Sequence, residues 1–129
     1  MEYAVNIATP SQGESLEIGK EELPRVYANL LGKDPKGVDS PTVTWNEGGN
    51  EVLIVGVNDA WSMTTMMTDE GTAYYLVVSD DDQDVTVYME GEEFHVPRKS
   101  LAPRDLGLEV LLKADNFASL LTEYTWEAQ

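Results

Sequence analysis

The sequence predicts an α+β fold, in which an antiparallel sheet of hairpins has two or three helices packed on one side, as a single domain over residues 1–129. Short runs rich in aromatic and β-branched residues alternate with turn residues, as antiparallel strands do. Two segments carry apolar residues at helical spacing. With 129 residues, of which 42% are hydrophobic, the chain can bury one core.

The N-terminal third is predicted to contain two strands and a helix. Apolar residues alternate weakly over residues 2–8, which predicts a first strand, and Leu16 and Ile18 indicate a second. Residues 20–31 carry an apolar stripe at helical spacing. Because proline is tolerated only in the first turn of a helix, this helix is expected to start close to Pro24 and to end at Gly32.

The next segment is predicted to be a hairpin of residues 42–46 and 51–57. Residues 52–55 are apolar at every position, which favours a central strand covered on both faces. Residues 58–68 are compatible with either a strand or a loop.

Residues 71–97 are predicted to form an antiparallel meander. Residues 74–78 and 85–89 are predicted to form strands, and the polar run 79–83 between them is predicted to be the tip of a hairpin. A third short strand is predicted over residues 93–96.

The C-terminal third is predicted to be a helix and a closing strand. Leucines at 106, 108, 111 and 112 indicate a helix that runs to about Ala114. Asn116 is expected to end it in the left-handed conformation, and residues 123–127 read as the final strand.

The negative charge of the chain limits the classes of partner that could bind it. The net charge is −16, and residues 37–97 contain thirteen acidic residues and no Lys or Arg. Nucleic acid and anionic membranes would be repelled by this field, whereas a cationic protein would be attracted. The same composition would also be explained if the acidic residues serve solubility or adaptation to a salty habitat, and this alternative remains open.

Sites of metal binding or catalysis are not indicated. Asp80, Asp82 and Asp84 alternate like the first ligands of a calcium loop, but that loop needs Gly and Glu where Val85 and Gly91 stand. His95 is the only histidine and no cysteine is present, so zinc or nucleophilic chemistry lacks partners. We expect no catalytic residue, no metal and no cofactor. An enzyme that uses a pair of carboxylates is the least favoured alternative.

The C-terminal third resembles a known family. A strand ending in Val96-Pro97, the leucine helix, and the closing run Tyr124 to Glu127 with Trp126 are similar to the "immunity one" family, as is Thr42 to Trp45 followed by a hairpin. The resemblance implies a small acidic α+β protein that neutralises a bacterial polymorphic toxin, often a nucleic-acid deaminase, by binding it. It also implies that Trp126 is a core residue of the closing strand.

The sequence therefore predicts an immunity protein that covers the active site of a basic toxin domain, a deaminase or nuclease, and that acts as a monomer in the complex. Because no signal peptide and no membrane span are visible, we expect a cytoplasmic protein. The alternative is an acidic DNA mimic that inhibits a host or phage defence enzyme. The predicted contact residues are Asp59, Trp61, Asp80, Asp81, Asp82, Asp84, Glu92 and Glu93. Trp61 follows a polar pair and is expected to be exposed, whereas Trp45 and Trp126 lie in predicted strands and are expected in the core.

Overall fold

The computed structural model describes residues 3–9, 12–30, 39–46, 49–68, 70–89 and 92–128. The predicted class, α+β with an antiparallel sheet and helices on one side, is confirmed. The strands are β1 (Tyr3–Thr9), β2 (Gln12–Ile18), β3 (Asp39–Ser40), β4 (Thr42–Trp45), β5 (Val52–Val57), β6 (Trp61–Met67), β7 (Ala73–Leu76), β8 (Asp84–Met89), β9 (Glu92–Pro97), β10 (Ala102–Pro103) and β11 (Trp126–Ala128). The helices are α1 (Leu23–Ala28), α2 (Arg104–Leu112) and α3 (Phe117–Glu123).

The large sheet is antiparallel, in the order β11-β7-β6-β5-β4-β1-β2, and β10 also pairs with β6. The predicted hairpin of β4 and β5 is present, with Thr42 opposite Gly56. The ambiguous segment 58–68 contains β6, whose residues Ser62 to Met67 pair with the whole of β5. Short connections that reverse the chain lead from β4 to β7, which is why these four strands lie side by side in sequence order.

The three helices lie on one face of this sheet. Strand residues alternate between faces, so Leu53, Val55 and Val57 all point toward the helices and are completely buried. They share one core with Val110 of α2 and Leu120 of α3. Trp45 and Trp126, both expected in the core, lie in it or pack against it.

A half-buried arginine connects the end of α1 to the start of α2. The guanidinium of Arg104 donates hydrogen bonds to the carbonyls of Tyr27 at 2.7 Å and Leu30 at 2.6 Å, at the end of α1. Tyr27 Oη donates in return to the Arg104 carbonyl at 2.6 Å. The last carbonyls of a helix have no partner within the helix, so Arg104 satisfies groups that would otherwise be left without a protein partner.

A second, smaller sheet has the order β3-β8-β9 and lies on the other side of the large sheet. Met63 of β6 and Val87 of β8 are buried against each other in a second core, with Trp61, Val85 and Val96 packed around them. Val87 stands opposite Phe94 in the β8–β9 hairpin, which confirms the predicted pairing of these two strands.

The predicted continuous meander over residues 71–97 is wrong, because its strands divide between the two sheets. Strand β7 already has β6 on one side and β11 on the other, so β8 cannot pair with it. The segment 79–83 is therefore not a hairpin tip. It connects the sheets and is held by backbone hydrogen bonds, from Lys99 N–H to the Asp81 carbonyl and from Arg98 N–H to the Gln83 carbonyl.

The prediction that residues 52–55 are covered on both faces is also wrong. Leu53 and Val55 are buried under the helices, but Ile54 on the opposite face is 39% exposed. The smaller sheet packs over the start of β6 and leaves the middle of β5 uncovered.

Helix and strand ends differ from the predictions by a few residues. Residues 20–22 form turns before α1, because Pro24 prevents a helix from starting much earlier. Leu31 and Gly32 lie outside the described residues. Asn116 is not left-handed: its φ is −113°, and it precedes α3. Because α3 extends to Glu123, the final strand starts only at Trp126.

Candidate functional site

An open groove of about 640 Å³ lies between the two sheets, on the face of the large sheet that the helices leave uncovered. Its floor contains a row of cross-strand neighbours: Thr44 stands opposite Ile54, Ile54 opposite Thr65, and Thr65 opposite Tyr75. Opposed residues on neighbouring strands point to the same face, so these four side chains form one continuous surface. The floor is mixed, with apolar side chains between threonine hydroxyls.

Strand β9 forms the wall of the groove. Phe94 and Val96 line it, and Phe94 is 37% exposed. Two large apolar side chains, Phe94 on the wall and Ile54 on the floor, therefore remain in contact with solvent. Exposed apolar surface collected in a concave site is typical of a binding surface rather than of a randomly exposed residue.

The predicted acidic residues lie toward the two ends of the β8–β9 hairpin. Asp84 begins β8 opposite Pro97, while Glu92 begins β9 opposite Met89. Five residue steps of about 3.3 Å separate these ends by roughly 17 Å. The loop of residues 80–82 precedes Asp84 in the chain. The structure thus divides the predicted acidic surface into two groups that flank the hairpin.

Two basic residues fold back onto the larger acidic group. Arg98 Nε lies 3.6 Å from Asp81 Oδ2. Lys99 Nζ lies between the carboxylates of Asp82 and Glu127, 2.9 Å from Glu127 Oε2. Both cations follow Pro97 directly in sequence, just after the segment without Lys or Arg. Asp81 and Asp82 are therefore partly neutralised.

The ammonium group of Lys99 is the best-shielded cation in this region, since its side chain is only 12% exposed. Hydrogen bonds to Asp82 and Glu127 raise the pKa of Lys99 above its ordinary value. Lys99 thereby connects the acidic loop to β11. Asp80 and Asp84, by contrast, are exposed and form no ion pair with any described residue.

Glu92 and Glu93 point to opposite faces of the small sheet. Glu92 lines the groove. Glu93 lies on the outer face, where it accepts a hydrogen bond from Tyr88 Oη at 3.1 Å, and this bond raises the pKa of Tyr88. His95 Nε2 is 3.5 Å from Glu93 Oε2, and its other nitrogen is 3.3 Å from Thr86 Oγ1. This cluster is exposed, so solvent weakens its electrostatic interactions.

Asp59 and Trp61 lie apart from the hairpin ends, at the turn between β5 and β6. Asp59 is exposed. Trp61, which we expected to be exposed, is half-buried in the second core beside Met63 and Val87. Its indole therefore helps to hold the small sheet in place and presents only part of its surface to a partner.

Of the described residues that line the groove, Glu92 alone is among the predicted contact residues; the others predicted are acids and a tryptophan outside the lining. Ile54, Phe94 and Tyr75 are large apolar or aromatic residues of the lining, and Ile54 and Phe94 are exposed. A signal was present for Ile54: its strand is apolar on both faces, and one of those faces lies on the groove. No pattern in the sequence shows that β9 stands over that face.

The structure gives less support to a metal site or a reactive side chain than to the groove. No group of three or more His, Asp or Glu side chains that could hold a metal ion occurs in the part of the chain that the structure describes. Burial raises the pKa of Tyr27 to about 12. That phenol lies in the core between α1 and α2, where it holds the Arg104 carbonyl, so its shift reflects packing rather than a reactive site.

Comparison with protein families and with curated proteins identifies no relative of this chain. No protein-family model matches the chain, and no curated protein matches it significantly. None of the described helices has the length and apolar character needed to cross a membrane.

Proposed function

We propose that this protein is an immunity protein that binds and neutralises a basic bacterial toxin domain, a nucleic-acid deaminase or nuclease, in the cytoplasm and without catalysis of its own. The proposal has two independent supports. One is the resemblance of the C-terminal third to the "immunity one" family. The other is the combination of charge and surface around the groove.

The observation that carries the proposal is the surface opposite the helices. There an open groove exposes Phe94 and Ile54 and is lined by Glu92. Asp84 begins β8 opposite Pro97 of the groove wall, and Asp80 lies in the loop before it; none of these three acids has an ion pair among the described residues. The described cations on this side, Arg98 and Lys99, are already paired with acids.

The remaining described cations belong to the helical side. Lys20 pairs with Asp115 and Lys113 with Glu123, while Arg104 is bound to backbone carbonyls. Every described cation on the groove side is thus paired, and the unpaired Asp84 and Glu92 add their field there to that of a chain whose net charge is −16. Such a field steers a cationic partner toward the groove and raises the rate of encounter.

The groove would supply affinity after encounter. Fixed charges raise the association rate more than they raise affinity, whereas binding energy concentrates in a few buried apolar contacts. Phe94 and Ile54 are the described side chains best placed to be buried by a partner. An enzyme that acts on nucleic acid needs a cationic groove of its own, which the acids beside Phe94 would meet.

Capture of the partner from the native host, followed by its identification, tests this function. We expect a basic toxin domain encoded beside this gene, and growth protection when the two are produced together. The double variant Asp80→Lys, Asp84→Lys should lose most of that protection because it reverses two unpaired charges at the start of β8, the strand that pairs with the groove wall.

The matched control is Glu21→Lys, Glu22→Lys, which changes the net charge equally in the turns before α1. Equal protection by both double variants would remove the groove side from the interface. Capture of a DNA-binding defence enzyme instead of a toxin would contradict the immunity function and favour DNA mimicry.

A further inference from the structure

Strand β9 has a free edge. In the order β3-β8-β9 it pairs with β8 on one side, and no described strand lies on its other side. Edge strands expose unpaired N–H and C=O groups, which are a template for pairing with another chain. β9 is six residues long, enough for several hydrogen bonds.

The register shows which groups are free. Asp84 stands opposite Pro97, and the next pair along is closed by a hydrogen bond of 2.8 Å from Arg98 N–H to the Gln83 carbonyl. In antiparallel pairs, hydrogen-bonded and non-bonded positions alternate. Phe94 and Val96 therefore bond to β8, whereas Glu93 and His95 direct their backbone groups away from it.

This free edge borders the groove. Groove-lining residues of β9 include His95, and the floor opposite contains Ile54 and Tyr75. A strand added beside β9 would place every second side chain toward this floor and the others on the outer face with Glu93. The volume of about 640 Å³ falls within the range of roughly 300–1,000 Å³ that accommodates buried groups.

The geometry points to β-strand addition: β9 binds an extended segment of the partner that has apolar residues at alternate positions and Lys or Arg between them. Apolar residues enter the groove beside Phe94, and basic residues face Glu93 and the flanking Asp84. The identity of that partner as a toxin rests on the proposed function. A second copy of this chain is a poor occupant, since each copy carries a net charge of −16.

A synthetic nine-residue peptide of alternating Val and Lys tests the docking mode directly, with a Val and Glu peptide of equal length as its control. We expect the Val/Lys peptide to bind at least tenfold more tightly, measured by fluorescence anisotropy. Amide exchange at Glu93 and His95, followed by NMR, should slow when it binds, because their N–H groups become hydrogen-bonded.

The sharpest variant pair is His95→Pro and His95→Ala. Both remove the imidazole, but only proline removes the outward N–H, at an edge position where proline is tolerated. Loss of one hydrogen bond should weaken binding about three- to tenfold in the proline variant relative to the alanine variant. Ile54→Lys, which leaves the backbone of β9 unchanged, should weaken binding through the groove floor even if the proline variant fails to fold.

Equal affinities for the two His95 variants, or unchanged exchange at Glu93 and His95 in wild type, would overturn strand addition. Protection of these amides that rises with protein concentration in the absence of peptide would assign the edge to a second copy and would also overturn it. Failure here is distinguishable from failure of the immunity function. A captured toxin that is insensitive to His95→Pro would contradict only the docking mode.

Discussion

Gly107 lies where α2 crosses the large sheet, and the approach there leaves no room for a side chain. A Cβ atom at this position would lie 2.5 Å from Tyr27 Oη, 2.7 Å from Val55 Cγ1 and 2.9 Å from Ser62 Cβ. All three atoms belong to packed groups of the core or its edge. The glycine therefore sets how closely α2 can approach β5 and β6.

Replacing Gly107 by Ala should destabilise the protein by about 1–3 kcal/mol through overpacking, in spite of the higher helix propensity of alanine. Urea unfolding measures the change. Gly19→Ala is the control, since nothing lies within 4 Å of its Cβ position, and it should leave stability nearly unchanged. Equal stabilities for the two variants would show that the α2 packing is looser than described.

The burial of some residues was predictable because it depends only on the residue's own size and its place in a strand. Trp45 was expected in the core and is 4% exposed, stacked on Phe117 with 5.6 Å between ring centroids. Size and strand alternation suffice for such a residue. Trp61 has the same size, yet its environment depends on the small sheet that packs over β6, and no local pattern reports that contact.

At the scale of elements, Lys99 decides how the acidic loop is held. Its N–H donates to the Asp81 carbonyl and its own carbonyl accepts from Val78 N–H, both at 2.9 Å. Its ammonium then bridges Asp82 and Glu127. One residue thus attaches residues 78–82 to the connection after β9 and to β11.

Lys99→Gln should loosen this attachment while leaving the core intact. We expect amide exchange at Lys99 to accelerate about three- to tenfold, with little change at Val55 in the core. Unchanged exchange at Lys99 would show that the backbone bonds alone hold the loop.

The pH dependence of this attachment has a definite sign. The pKa of Lys99 is raised in the folded state, so its contribution is fully present below the ordinary lysine pKa and is lost as the pH rises through the higher folded value. The loop should therefore stay attached at neutral and mildly alkaline pH.

Elements with a strong local pattern were predicted well, and those that depend on a distant partner were not. The β4–β5 and β8–β9 hairpins pair neighbours in sequence, and both are present. The expected pairing across residues 79–83 failed because β11, about fifty residues later in the chain, occupies the edge of β7. The sequence of β7 or of β8 alone does not show that β11 will occupy the edge where they were expected to pair.

In the whole molecule, the large sheet separates a face covered by helices from a face that carries the groove and the small sheet. Helices cover one face of the large sheet. On that side lie four of the six described cations: Lys20, Lys113 and Arg104 are in an ion pair or bonded to backbone, and Arg25 of α1 is the fourth. The other face keeps an open groove with acids at both ends of its wall. The negative charge was predictable from composition, but the groove was not, because it arises from the packing of one sheet over part of another.

Electrostatic steering of the partner can be measured as its association rate, by stopped flow over a range of salt concentrations. If the acids beside the groove steer a basic partner, the rate should fall steeply between about 0.01 and 0.15 M salt, where the screening length shortens from about 30 Å to 8 Å. The Asp80→Lys, Asp84→Lys variant should show a much shallower fall. A rate that is independent of salt, or equal slopes for wild type and this variant, would contradict the account.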